Sequence, residues 1–276
     1  MTRRVRVVTD SNTMIPAPLA AALDIIVVPL TVTIGGDELV EDASLDVAAA
    51  YRRLRTGEPA TTSAPSPGAF QVTYEALDPG PVVSVHIGGV YSGTVDAARL
   101  GARLGNVDVT VVDTGTASFL AGCCVLAAAE AANDGADPAA VVAAAERTAA
   151  SVASVFTLAE LERARAGGRI VVDQDPSEGV PILLMNHDGI TALGSPATAD
   201  HAAATMLEHL DAVPSRLRIG VGDADAGPIV DELVARLRAR RPADDIIRYV
   251  VGPTVAAHAG MGTFGVVYHP LDTPAA

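Results

Sequence analysis

Short Val/Ile-rich runs alternate with alanine-rich stretches along most of the chain. The runs Val5–Val8, Ile25–Ile34, Val82–Ile87, Val107–Val112, Ser154–Thr157, Val180–Met185, Leu217–Val221, Ile246–Val251 and Gly265–Tyr268 predict strands. Ser66-Pro67 and Asp137-Pro138 each place a capping side chain before a proline at the first helical position. Thr198–Leu210 and Gly227–Arg240 read as amphipathic helices. The strands are apolar throughout rather than alternating, as in a sheet covered on both faces. The first half reads β-α-β-α-α-β-α-β-α-α, the order of an open, mostly parallel sheet. From about Ser151 the strands come closer together and turn partly polar, which suits a mixed sheet with helices on one side. The expected fold is therefore two-domain α/β. Residues 1–150 form a mostly parallel open sheet with helices on both faces. Residues 151–276 form a mixed or antiparallel sheet with helices. The polar, glycine-containing stretch Gly167–Gly179 is expected to be a loop.

Composition narrows the class. The chain has 276 residues, 49% of them apolar but only 3% aromatic and none tryptophan, so its core must be built from Ala, Val, Leu and Ile. All 19 basic residues are arginine, against 33 acidic ones, for a net charge of −14. The missing lysine excludes Schiff-base chemistry and the lysine of a P-loop. The acid excess argues against nucleic acid and anionic membrane as partners, because both are bound by clustered basic residues. No apolar run approaches the roughly 20 residues of a membrane helix, and no signal-peptide core follows Met1, so a cytoplasmic protein without stable membrane insertion is expected. Cys123 and Cys124 are adjacent within an Ala/Leu/Val run and read as buried small hydrophobes in a reducing compartment. With six histidines and no Cys/His cluster, no metal site is expected.

Polar residues cluster where predicted strands end, which is where open α/β sheets place their ligands. They are Thr9-Asp10-Ser11, the hydroxyl-rich Thr61–Pro67, Ser92-Gly93-Thr94 and Ala257-His258-Ala259-Gly260. Each has an ordinary alternative: a serine or threonine before a helix is usually a cap, Asp10 can order a turn, and a lone histidine is commonly structural. By themselves these residues describe an α/β protein with a hydroxyl-lined cleft.

Their order along the chain carries more. Thr9–Ser11 (TDS), Val27–Leu30 (VVPL), Thr61–Phe70 (TTSAPSPGAF), Ser84–Thr94 (SVHIGGVYSGT), Val111–Ser118 (VVDTGTAS), Gly167–Ile170 (GGRI), Pro181–Leu183 (PIL) and Val251–Gly265 (VGPTVAAHAGMGTFG) resemble, in the same order, the DegV family of fatty-acid-binding proteins. The resemblance implies a non-enzymatic protein that holds one long-chain fatty acid between two α/β domains. It also implies a dihydroxyacetone-kinase-like fatty acid kinase as partner, which brings ATP and converts the presented carboxylate to acyl phosphate. By position, Thr62 with Ser63, and Ser92 with Gly93 and Thr94, would bind the carboxylate, and His258 would lie beside it. No cofactor other than the bound fatty acid, and a monomeric state, are expected.

The chemistry suits those residues. A carboxylate leaving water needs several donors, and hydroxyls with a helix N-terminus supply them without the two-point clamp of an arginine. The chain also departs from the family pattern. The stretch before Pro181 is short and acidic, Val180 replaces a common lysine, and Gly194–Thr198 holds no arginine where the family carries a basic patch. Two alternatives follow. One is a lipid or carboxylate carrier or sensor without a kinase. The other is a serine hydrolase using Ser92, His86 or His258, and Asp10 or Asp113, although Val90–Thr94 is not a G-x-S-x-G elbow.

Overall fold

The structure, a computed structural model, describes residues 4–159 and 179–271. Of the stretch Gly167–Gly179 expected to be a loop, all but Gly179 lies outside the described residues, and with it the Gly167–Ile170 motif. The chain groups into two compact units: residues 1–47 with 58–150, and residues 48–57 with 151–276.

Unit 1 is built on a parallel sheet in the order β2-β1-β6-β7, from Ile25–Val28, Arg6–Asp10, Val82–His86 and Val109–Asp113. Every residue of β6 is buried, as a central strand covered on both faces requires. On one face, α3 (Pro67–Glu75) and α4 (Thr94–Leu104) pack Phe70, Tyr74 and Ala98 against Val8, Val28 and Val82. α5 (Phe119–Asn133) also packs on β1 and β6. Eleven of its fifteen residues are buried, so it has no solvent stripe and serves as core. Cys123 and Cys124 lie in it, fully buried and outside any disulfide, and burial pushes the Cys124 thiol up to about 12. α3 and α6 (Pro138–Ser151) begin as the capping residues dictate. Ser66 Oγ accepts from Ala69 N–H at 3.1 Å, and Asp137 Oδ1 from Ala140 N–H at 2.8 Å.

The run Ile25–Ile34 is two strands rather than one. It breaks at Pro29-Leu30, and Pro29 has no N–H to continue a ladder. β3 (Thr31–Ile34) leaves the parallel sheet and forms the centre of an antiparallel sheet, flanked by β4 (Asp37–Val40) and β5 (Ala60–Ser63). The short helix α1 (Ala17–Ala22) precedes β2.

Unit 2 holds a six-stranded mixed sheet in the order β10-β9-β8-β13-β11-β12. The strands are β8 (Ala153–Thr157), β9 (Ile182–Asn186), β10 (Gly189–Gly194), β11 (Leu217–Asp223), β12 (Asp245–Val250) and β13 (Phe264–Pro270). Only β11 and β12 run parallel; the other neighbours are antiparallel. α7 (Ala199–Asp211) and α8 (Gly227–Arg240) cover it with Met206, Leu207, Leu210, Val230, Leu233 and Leu237. α9 (Pro253–Ala259) adds Val255 and Ala259 to a smaller cluster with Leu158 and Leu183. α2 (Val47–Arg55) falls almost entirely in this unit: Tyr51 OH donates to Val251 O, and Arg55 pairs with Asp225. Among the described residues no helix is long and apolar enough to cross a membrane.

Candidate functional site

The polar residues of unit 1 gather at the carboxyl ends of its parallel strands. β1 ends in Asp10, which is fully buried and accepts three N–H groups. Oδ1 takes Asn12 N–H at 3.0 Å, capping the 3-10 turn Ser11–Thr13; Oδ2 takes His86 Nδ1 at 2.9 Å and Ile87 N–H at 3.2 Å. His86 ends β6, and its other ring nitrogen lies 2.7 Å from Ser84 Oγ, which is 2.8 Å from Tyr74 OH. Phe70 meets the imidazole edge-on at 5.0 Å. One direction of donation satisfies all four groups: Tyr74 to Ser84, Ser84 to Nε2, and Nδ1–H to Asp10. Burial drives the Tyr74 phenol up to about 12, with the Ser84 hydrogen bond opposing the shift.

The neighbouring loops are tied to the same strand ends. Thr114 Oγ1 donates to His86 O at 2.8 Å, and Asn12 Oδ1 accepts Ser118 N–H at 2.8 Å. Asp113, ending β7, receives Gly89 N–H and Gly115 N–H. Gly88 N–H donates to Thr116 O at 2.7 Å, and the Gly88 carbonyl accepts Tyr91 N–H and Ser92 N–H at 2.9 and 3.2 Å. A side chain at Gly88 would meet the Gly115 backbone at 2.7 Å, so only glycine fits there.

This loop delivers Ser92, Gly93 and Thr94 to the start of α4. The two hydroxyls are 2.8 Å apart, and Ser92 Oγ accepts Thr94 N–H at 3.3 Å; Ser92 is half-buried and Thr94 buried. Thr62 and Ser63 lie on β5. Thr62 pairs with Val32 and Ser63 with Thr31; Thr62 is half-buried on the face that holds Val32, while Ser63 is exposed. The first part of the hydroxyl-rich segment Thr61–Pro67 is thus a strand, and its period of two separates the two hydroxyls. His258 is half-buried on α9 in unit 2.

Ser84 opens the motif Ser84–Thr94 but carries no role in it, and Tyr74 lies in no motif, although Ser84 and His86, two apart on a strand, must share a face. The arrangement also removes the hydrolase through His86. Its two nitrogens are taken by Asp10 and by Ser84, whose hydroxyl is fully buried, and not by Ser92. Among the described residues no group of three His, Cys, Asp or Glu is placed to hold a metal ion.

The model of the DegV family, described as uncharacterised proteins, matches residues 4–271. The chain belongs to the DegV family. A DegV domain-containing protein of Streptomyces coelicolor is 36% identical over 97% of this chain and 99% of its own length. Among solved structures of the family, the fatty-acid-binding DegV protein of Thermus thermophilus superposes with a TM-score of 0.86 at 31% identity. It covers 98% of this chain and 100% of its own. A stearic-acid-binding protein of Eubacterium ventriosum shares the DegV fold at a TM-score of 0.85 and 17% identity, over 96% of this chain and 98% of its own.

Proposed function

We propose that this protein binds one long-chain fatty acid. Its carboxylate accepts hydrogen bonds from Thr62 and Ser92, with Ser63, Gly93 and Thr94 around it and His258 beside it. The observation that carries this reading is the end-to-end match to the fatty-acid-binding Thermus thermophilus relative. The Ser92–Thr94 pair supports it from the residues up: both hydroxyls stand at the N-terminal end of an eleven-residue helix, where backbone dipoles favour an anion. Neutral donors offset the desolvation of the carboxylate yet leave its oxygens nucleophilic. The acyl chain supplies affinity at about 0.8 kcal/mol per buried methylene.

The protein performs no chemistry alone in this reading. A separate fatty acid kinase transfers the γ-phosphoryl group of ATP to the presented carboxylate oxygen, forming acyl phosphate and ADP. His258 assists by hydrogen bonding as charge builds on the reacting oxygens. The protein acts as a cytoplasmic monomer. A carrier or sensor without a kinase is the second reading, favoured by the segment after β10. Gly194–Thr198 there carries no arginine, and its Pro196 carbonyl is engaged with Val180 N–H at 2.8 Å.

Denaturing extraction of protein purified without added lipid, followed by mass spectrometry, tests the cargo. About one fatty acid per chain is expected; an extract without fatty acid contradicts it. Mixing the loaded protein with a cognate kinase and ATP separates the two readings, since acyl phosphate forms only in the first.

A further inference from the structure

The proposed carboxylate ligand Ser92 does not stand on a regular element. It sits in a five-residue turn, Gly88–Ser92, between β6 and α4, and such a segment holds its geometry only where other groups fix it. The turn hangs from the Gly88 carbonyl, which receives the N–H groups of Tyr91 and Ser92. Gly88 follows Ile87, whose N–H is held by Asp10 Oδ2 at 3.2 Å. The same oxygen takes His86 Nδ1 at 2.9 Å. Asp10 thus grips, from the neighbouring strand, the last residue of β6 and the residue that follows it, one peptide before the turn. Asp10, Ser84 and His86 are fully buried, and Tyr74 nearly so. The carboxylate has three N–H donors, so the network is dry and satisfied, and a satisfied buried network rigidifies its surroundings.

We propose that Asp10 and His86 are positioning residues for the carboxylate site. Through Ile87 and Gly88 they set where the Ser92 hydroxyl stands, and they do not touch the ligand. This rests on the fatty-acid reading above. Asp10→Asn replaces one acceptor oxygen by an N–H₂ group, which must face either Asn12 N–H or the donors of Ile87 and His86. The three donors can then no longer all be accepted, and the strand end loosens with little change in volume. His86→Gln removes the ring and leaves the two backbone donors to Asp10 in place. A core truncation elsewhere in unit 1, Val141→Ala on α6, serves as the stability control.

The affinity for oleate is measured by titration calorimetry, together with amide NMR spectra and melting temperatures. Asp10→Asn is expected to raise the oleate Kd about tenfold or more, as displacing a binding group by a fraction of an ångström does. Its amide shifts should be concentrated at residues 87–94. Val141→Ala should leave Kd within about twofold for a similar loss of melting temperature. His86→Gln is read in the same way if Asp10→Asn fails to fold. Unchanged Kd and unmoved loop amides in a folded variant overturn the proposal, as does an equal Kd rise in Val141→Ala. If neither variant folds, amide exchange in the wild type decides: Ser92 N–H exchanging as slowly as the amides of β6 supports the role, and fast exchange overturns it. If the wild type binds no fatty acid, the function reading fails, while the amide shifts at 87–94 still decide for or against the positioning role.

Discussion

The two units use polar residues in their sheets in opposite ways. In unit 1 the parallel strands end in a dry chain of Asp10, His86, Ser84 and Tyr74, with no arginine in it. In unit 2 the polar residues of β11 form arginine–aspartate pairs near the sheet edge. Arg218 meets Asp245 at 2.7 Å and Arg248 reaches Asp223, each pair with one partner about a third exposed or more. The charge follows the same division. Unit 1 has six arginines against 17 acids, net −11; unit 2 has 13 against 16, net −3. The unit that carries Thr62 and Ser92 is therefore the one whose field repels a carboxylate. A carboxylate can be held there only by short-range neutral donors aimed at it, and such donors need a rigid support. Unit 1 supplies that support from inside its sheet.

Asp10→Ala should break this contrast most deeply. It strands three N–H donors in the interior of unit 1, and urea unfolding is expected to show a loss of roughly 3–5 kcal/mol. Arg240→Ala, which removes the exposed pair with Asp211 in unit 2, should cost under about 1 kcal/mol in the same experiment. A comparable cost for both would mean that the dry network has no special place in the fold. Next in size, Thr62→Ala and Ser92→Ala should each weaken fatty-acid binding by about 1.5–3 kcal/mol, the worth of a hydrogen bond to a charged group. Calorimetry that finds affinity unchanged in both would take the carboxylate out of this cradle.

Smaller effects follow from charge. Because unit 1 repels an anion, raising the ionic strength from low to physiological values should speed fatty-acid association roughly two- to fivefold in stopped-flow traces. Slower association would place the entry path in a region of positive potential. In unit 2, His209 Nε2 lies 2.6 Å from Tyr268 OH, and burial lowers the imidazole pKa below its ordinary 6.5. As pH falls through 6.5 the unfolded chain takes up a proton that folded His209 resists. Stability is therefore full above that value and declines below it until the folded ring also titrates. His209→Gln should flatten this part of the stability curve, measured by denaturant unfolding between pH 7 and 5.

Much of this was legible in the sequence, for identifiable reasons. The strands buried on both faces, such as β6 and β11, announce themselves as apolar runs, and α3 and α6 start where Ser66-Pro67 and Asp137-Pro138 require. The small antiparallel sheet was not legible. β4 is mostly exposed and reads DELV, and β5 reads ATTS; neither carries an apolar pattern. They are strands because β3 pairs with both, a tertiary fact that overrides weak propensity. Of the candidate site, the hydroxyls at 62, 63, 92 and 94 stood out by type and order. Asp10 and His86 also stood out, but only as members of a hydrolase. Their role as a support did not, because they meet across 76 positions of chain, through a parallel pairing that no local spacing encodes.

The most direct test is a crystal structure of the protein purified and crystallised without added lipid. The account predicts elongated density for one acyl chain, its head group within hydrogen-bond distance of the Thr62 and Ser92 hydroxyls and beside His258. Clear density for these side chains with no elongated ligand, or a ligand whose head group lies away from Thr62 and Ser92, would contradict it.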